Sequence, residues 1–215
     1  MAATGGTGDI VFIVDDEADV RDSLARLLRS EGLAVETFGS AQDFLDQSPE
    51  DRTGCLVLDV HMPGLSGPEL HDLLIERGLL MPVIYLTGRS NIATGVRAMK
   101  QGAQDFLEKP VDADDLLAVV RQALQASRTA AGARKASDDI RSRQAALSVR
   151  EREVMEHVVR GRLNKQIAGD LGIAEKTVKV HRGRVMAKMK VRSVAELVHL
   201  CEQLAAADRS RSHPR

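Results

Sequence analysis

The sequence predicts an α/β unit built on a parallel, doubly wound sheet, followed by a smaller all-helical unit. Three observations carry this expectation. Over the first 126 residues, short apolar runs alternate five times with amphipathic stretches, the pattern of strands covered on both faces by helices. After residue 148 no strand-like run appears. Charge is also partitioned: residues 1–126 hold 10 Lys/Arg against 21 Asp/Glu, while residues 148–215 hold 15 against 8. An acidic half and a basic half are expected to meet different partners, the second of them nucleic acid.

The elements follow in order. Ile10–Val14 is a continuous β-branched and aromatic run, and Val20, Leu24, Leu27 and Leu28 then recur at helical spacing. Ala34–Phe38 is a weaker strand, followed by a short helix carrying Ala41, Phe44 and Leu45. Residues 55–58 form a third strand, and Pro68 suits the first turn of a helix bearing Leu70, Leu73 and Leu74. Residues 82–86 are a fourth strand, with Ile92, Val96 and Met99 on the helix after it. Residues 105–107 supply a fifth strand and residues 116–124 a fifth helix. Residues 127–146, rich in Ala, Arg and Ser with Gly132 as a breaker, read as a partly helical linker.

The basic half reads as four helices. Ser148-x-x-Glu151 opens the first as a capping box. Asn164 is placed to cap the second, which stops at Gly172; the third spans residues 175–189 and the fourth starts at Ser193. Residues 206–215 are expected to fray. No apolar run reaches transmembrane length, and the opening residues lack the basic and apolar regions of a signal peptide. Cys55 and Cys201 lie far apart and read as core thiols. Cytoplasm is the expected compartment.

Ligand chemistry in such a sheet gathers beyond the carboxyl ends of the strands. Asp15 and Asp16 end the first strand, Asp59 the third and Thr87 the fourth, while the fifth leads into Lys109 and Pro110. Crowded carboxylates call for a hard cation, Mg²⁺ in a cytoplasm. A carboxylate beside Mg²⁺ is a nucleophile towards a phosphoryl group, whose oxygens a lysine and a hydroxyl then neutralise and bond.

The strings VDDE, LDVHMPGLSG, YLTG and FLEKP resemble the motifs of the bacterial receiver domain, a flavodoxin-like fold of five strands and five helices. The resemblance implies Asp59 as phosphoacceptor, with Asp15, Asp16 and the His61 carbonyl joining Asp59 as Mg²⁺ ligands, Asp16 directly. It implies that Thr87 bonds the phosphoryl group, that Lys109 pairs with it, and that Phe106 turns inward as Thr87 moves. His61 and Arg89 flank the site, where an imidazole or guanidinium could alter the hydrolysis rate in a direction the sequence does not give; for His61 a solvent-exposed side chain with only its backbone in use is the favoured reading.

On the third helix of the basic half, Val178, His181, Val185 and Met189 share one face. Lys176, Lys179, Val180, Gly183, Arg184, Ala187 and Lys188 share the other, a basic face with small residues that admits a close approach to DNA. The strings LSVREREV, GRLNKQIAGDLGI, TVKVH and SVAEL resemble the LuxR-type DNA-binding domain. That resemblance makes residues 165–171 the scaffold helix and residues 175–189 the recognition helix. Lys179 and Val180 would face DNA, with Lys165, Lys176, Thr177, Arg182, Arg184 and Lys188 as further contacts. Ala174 departs from the pattern, which often has a capping Ser there, and Gly183 leaves a contact position bare.

Together the resemblances imply a NarL/FixJ-family response regulator of the FixJ-like branch: receiver 1–126, linker 127–146, helix-turn-helix domain 147–205, tail 206–215. They imply a sensor histidine kinase as partner, promoter DNA as target, contact with RNA polymerase, and a phosphorylation-driven homodimer whose face includes residues 91–105. An aspartyl-phosphate enzyme is the rival from another class, but Asp59-Val60-His61 lacks the second carboxylate such enzymes use. The other alternative is a transcription factor whose receiver does not gate DNA binding.

Overall fold

The computed structural model describes residues 8–47, 53–88 and 105–212. They fall into two compact units, residues 1–131 and residues 132–214, each with its own core.

In the first unit the order is β1 (Ile10–Val14), α1 (Ala18–Ser30), β2 (Ala34–Phe38), α2 (Ala41–Gln47), β3 (Gly54–Asp59), α3 (Gly67–Glu76), β4 (Val83–Thr87) and β5 (Asp105–Glu108), then the start of α4 (Ala113–Ala145). The strands form one parallel sheet in the order β2-β1-β3-β4-β5. The helix expected around Ile92, Val96 and Met99 lies outside the described residues, as do Arg89 and most of the 91–105 segment.

Period-two alternation sorts the strand side chains into two layers. Phe12, Val14, Leu56, Leu58 and Tyr85 pack with Phe38, Phe44, Leu70 and Leu74 on one face. Val11, Ile13, Cys55, Val57, Ile84 and Leu86 pack with Leu24, Leu28, Leu116 and Val120 on the other. Both faces are dry, which explains the unbroken apolar runs. Burial pushes the Cys55 thiol up to about 12, as befits a core thiol. Register aligns Val14 with Leu58 and Asp59 with Leu86, so β1, β3 and β4 end at the same edge.

Asp112 opens α4 by accepting from the N–H groups of Asp114 and Asp115 at 2.9 and 3.2 Å. The helix does not stop at Gly132. That glycine is exposed and sits among alanines; it costs the helix only about 1 kcal/mol against Ala, which the good formers around it absorb.

The second unit joins the end of α4 to α5 (Val149–Val159), α6 (Asn164–Leu171), α7 (Glu175–Lys188) and α8 (Val194–Ser212). Ile140, Leu147, Val154, Val158, Ile167, Val178, Val185, Met189 and Leu197 form its core. The Ser148 capping box is made: Glu151 N donates to Ser148 Oγ at 3.3 Å and Ser148 N to Glu151 Oε2 at 2.8 Å. Asn164 is the first residue of α6 rather than its cap. The donor ahead of it, Leu163 N, is satisfied instead by Gln166 Oε1 at 2.9 Å. Gly172 ends α6 at φ 65°, a left-handed conformation that glycine adopts freely. Among the described residues no helix is long and apolar enough to cross a membrane.

Candidate functional site

The strand ends of the first unit build an acidic pocket. Asp15 is fully buried at the end of β1, and Asp59 and Thr87, at the ends of β3 and β4, are each 5% exposed. Lys109 reaches in from beyond β5, its Nζ 2.8 Å from Asp15 Oδ2, 3.3 Å from Asp59 Oδ2 and 3.2 Å from Glu17 Oε1. Its backbone N–H also donates to the Thr87 carbonyl at 2.8 Å, tying the lysine to the threonine.

The electrostatics follow from this crowding. Burial raises the Asp59 pKa; Lys109 pulls it back, while Asp15 adds repulsion and a backbone hydrogen bond at His61 favours the charge. Desolvation works against the Lys109 ammonium, but the carboxylates of Asp15 and Asp59 beside it outweigh that and raise its pKa. Asp15 Oδ2 is a buried oxygen with no hydrogen-bond partner among the described residues. The Lys109 ammonium is within ion-pair distance of it but not aligned as a donor.

Neighbouring contacts hold the carboxylates in place. Asp15 Oδ1 accepts from Glu17 N at 2.9 Å, and Arg21 Nη1 donates to the Asp15 carbonyl at 2.6 Å. Behind Asp59, α3 begins so close that a Cβ on Gly67 would lie 2.3 Å from the Asp59 carbonyl oxygen. Only glycine permits that approach. Ser66 fixes the same helix end through a bond from its N–H to Glu69 Oε2 at 2.9 Å.

Sequence and structure single out overlapping sets. Asp15, Asp59, Thr87 and Lys109 converge. Asp16 is exposed and stands outside the tight carboxylate trio, which is Asp15, Glu17 and Asp59, with donor atoms within 4.8 Å of one another. Glu17 was not singled out from the sequence, although its place in VDDE was a signal. His61 is exposed, and Phe106 is 43% exposed. Thr87 Oγ1 donates to the Gly88 carbonyl at 3.3 Å. Three carboxylates, one with an orphaned buried oxygen, form the oxygen-rich donor set that Mg²⁺ takes.

The second unit offers a basic helix. On α7 and the Met189 that ends it, Val178, Val185 and Met189 are buried and His181 is half-buried, while Lys176, Thr177, Lys179, Val180, Gly183, Arg184 and Lys188 are exposed. Lys165 is exposed on α6. Three of the basic residues are also engaged within the unit, Lys179 through a 3.8 Å ion pair with Glu175 on the same helix. Arg182 Nη1 donates to Asn164 Oδ1 at 3.0 Å, bridging α6 and α7. Lys188 Nζ pairs with the buried Glu151 at 2.6 Å and donates to the Ala146 carbonyl at 3.1 Å. The lysine and the capping bonds hold the Glu151 pKa down at about 2. Arg143 Nη1 donates to the carbonyl of Met189, just past the end of α7, at 3.2 Å.

An acidic pocket of this geometry on a parallel five-stranded sheet, followed along the chain by a helix-turn-helix, defines a two-component response regulator that acts on transcription. Comparison bears this out: residues 11–121 match the response regulator receiver domain and residues 145–201 the LuxR family of bacterial regulatory proteins. The chain belongs to the response regulators of the NarL/FixJ family, transcriptional regulators rather than a class of enzymes. It is 49% identical over 191 residues to the transcriptional regulatory protein FixJ of Azorhizobium caulinodans, covering 88% of this chain and 90% of that one. Against Nodulation protein W of Bradyrhizobium diazoefficiens it is 45% identical over 198 residues, covering 92% and 87%. Among solved structures, the response regulator StyR superposes with a TM-score of 0.84 at 46% identity, covering 91% of this chain and 99% of that one. Full-length FixJ from B. japonicum superposes with a TM-score of 0.57 at 41% identity, covering 94% and 99%. Membership of this family implies a sensor histidine kinase upstream and DNA downstream.

Proposed function

We propose that the chain is switched by phosphorylation of Asp59 and that the phosphorylated form dimerises and binds promoter DNA in the cytoplasm. The observation that carries this is the meeting of Lys109 Nζ with both Asp15 and Asp59, two carboxylates almost wholly withdrawn from the surface. Asp59 supplies the nucleophilic oxygen: a new O–P bond forms as the bond from phosphorus to the donor, a histidine nitrogen of the kinase, breaks. The charge on Asp59 that burial opposes is what makes it reactive once aligned. Lys109 pairs with a phosphoryl oxygen, and Thr87 turns its hydroxyl from the Gly88 carbonyl to another. Phe106, now part-exposed, follows Thr87 inward.

Asp15 and Asp59, with Asp16 and the His61 carbonyl, hold Mg²⁺; Glu17, beside them, is a further carboxylate for the same ion. Bound there, the ion supplies positive charge that offsets the carboxylates and the incoming phosphoryl oxygens. On the second unit, Lys179 and Val180 face base edges. Lys165, Lys176, Thr177, Arg182, Arg184 and Lys188 serve DNA mainly through phosphates. Dimerisation through a face including residues 91–105 matches two recognition helices to two half-sites, and promoter-bound dimers engage RNA polymerase.

The test compares wild type with Asp59→Asn, with and without acetyl phosphate and Mg²⁺, reading dimerisation by light scattering and DNA binding by fluorescence anisotropy. Wild type alone is expected to dimerise more strongly and bind DNA more tightly. Equal binding by both proteins would mean that the receiver does not gate DNA binding.

A further inference from the structure

A polar pair in the receiver core stands apart from the pocket. His71 lies on α3, one turn beyond Gly67, and Tyr85 lies on β4, two residues before Thr87. His71 is 6% exposed and Tyr85 fully buried. Their polar tips nevertheless meet: His71 Nδ1 is 3.0 Å from the Tyr85 hydroxyl, and the rings pack edge-on with centroids 5.9 Å apart. Two apolar side chains would fill this volume without the desolvation of two polar groups. A satisfied buried bond is directional, and it fixes one arrangement of the elements that it joins.

The elements joined here are the ones on which the pocket depends. Gly67 opens α3 directly against Asp59, and its N–H donates to the Val60 carbonyl at 3.2 Å. The position of α3 is thereby locked to that of the nucleophile. At the other end, β4 delivers Thr87 on the strand face that carries Tyr85. The His71–Tyr85 bond thus runs from the helix that seats Asp59 to the strand that presents the Thr87 hydroxyl.

We propose that His71 and Tyr85 are a positioning pair that sets the Thr87 hydroxyl relative to Asp59, and so governs the rate of phosphoryl transfer rather than the binding of the phosphodonor. This rests on the roles given above to Asp59 and Thr87. Burial lowers the His71 pKa, with Asp72 opposing it. Burial thus favours the neutral imidazole, whose Nδ1 accepts from the Tyr85 hydroxyl in the tautomer that carries its proton on Nε2.

The experiment uses the full chain, acetyl phosphate and Mg²⁺, and reads the maximal rate constant, the half-saturating donor concentration and the unfolding midpoint of each variant. Tyr85→Phe keeps the ring and removes only the hydroxyl. It should lower the maximal rate about fivefold, the equivalent of one net hydrogen bond, with half-saturation unchanged. His71→Leu should do the same and the double variant no more, while His71→Asn, whose amide oxygen can accept from Tyr85, should recover most of the rate. A wild-type maximal rate in Tyr85→Phe would overturn the proposal, as would a change confined to half-saturation. So would His71→Asn behaving like His71→Leu. If wild type takes up no phosphoryl group, or Asp59→Asn still does, the Asp59 reading itself fails, whatever the variants show.

Discussion

The pocket and the recognition helix solve opposite problems with similar residues. In the pocket, charges are withdrawn from water: Asp15 is fully buried, Asp59 nearly so, and Lys109 is clamped between them. On α7, Lys176, Lys179 and Arg184 are exposed, while the apolar edge, Arg182 and Lys188 tie the helix to the rest of its unit. Chemistry at a phosphoryl group needs fixed groups in a medium that does not screen them, whereas a duplex must be met by side chains that can still move. It follows that pocket substitutions should disturb fold and function together. Substitutions at the exposed Lys176, Lys179 or Arg184 should disturb function alone.

The sharpest way to break that contrast is Gly67→Ala. The new methyl has no room beside the Asp59 carbonyl, 2.3 Å away, and overpacking of this kind costs about 1–3 kcal/mol. Urea unfolding should show the receiver transition alone moved to lower denaturant, and acetyl phosphate should no longer phosphorylate the protein at the wild-type rate. An unchanged receiver transition would show that the helix start yields easily and that the close approach is incidental.

A smaller effect tests whether the second unit has a buried charge of its own. Glu151 has its pKa held near 2 by Lys188 and the capping bonds, against an ordinary 4.5. Because the folded value is the lower one, the carboxylate's contribution is complete above about pH 4.5 and is lost as the pH falls towards 2. The melting temperature of the second unit should fall across that window in wild type. Glu151→Gln should start lower and remain flatter.

The smallest effect on the fold, though not on binding, belongs to Arg184→Ala. Its stability should stay within about 0.5 kcal/mol of wild type, since the side chain is exposed. DNA affinity should fall similarly across different sequences, and the slope of log affinity against log salt should shrink by about one. A loss confined to one sequence would reassign Arg184 from phosphate to base contact.

The difference between the two sites also explains what could be read from the chain. Asp15, Asp59, Thr87 and Lys109 were legible because parallel strands put their last residues at one edge, and each stands at the end of an apolar run or just beyond one. Glu17 was harder to see, since its role depends on where a half-turn after β1 sends the side chain. His71 and Tyr85 were invisible: a histidine in an amphipathic helix and a tyrosine in a strand signal nothing until α3 meets β4. Helix continuity through Gly132 is hidden in the sequence because propensity is summed over a long segment, and one glycine among alanines weighs little in that sum. Asn164 was credited with a cap that Gln166 makes unnecessary.

Gly183 repays a last comparison with Gly67. Nothing lies within 4 Å of the place where its Cβ would be, and it sits in the outward face of α7. Any side chain fits there, and most would favour the helix by up to about 1 kcal/mol over glycine. The pocket glycine is frozen by its surroundings, while this one, on the DNA-binding role proposed for α7, is an open slot from which new promoter preferences can be sampled without passing through a misfolded intermediate. On the function proposed above, a lineage carrying this chain can change which genes it reads while leaving the input chemistry untouched.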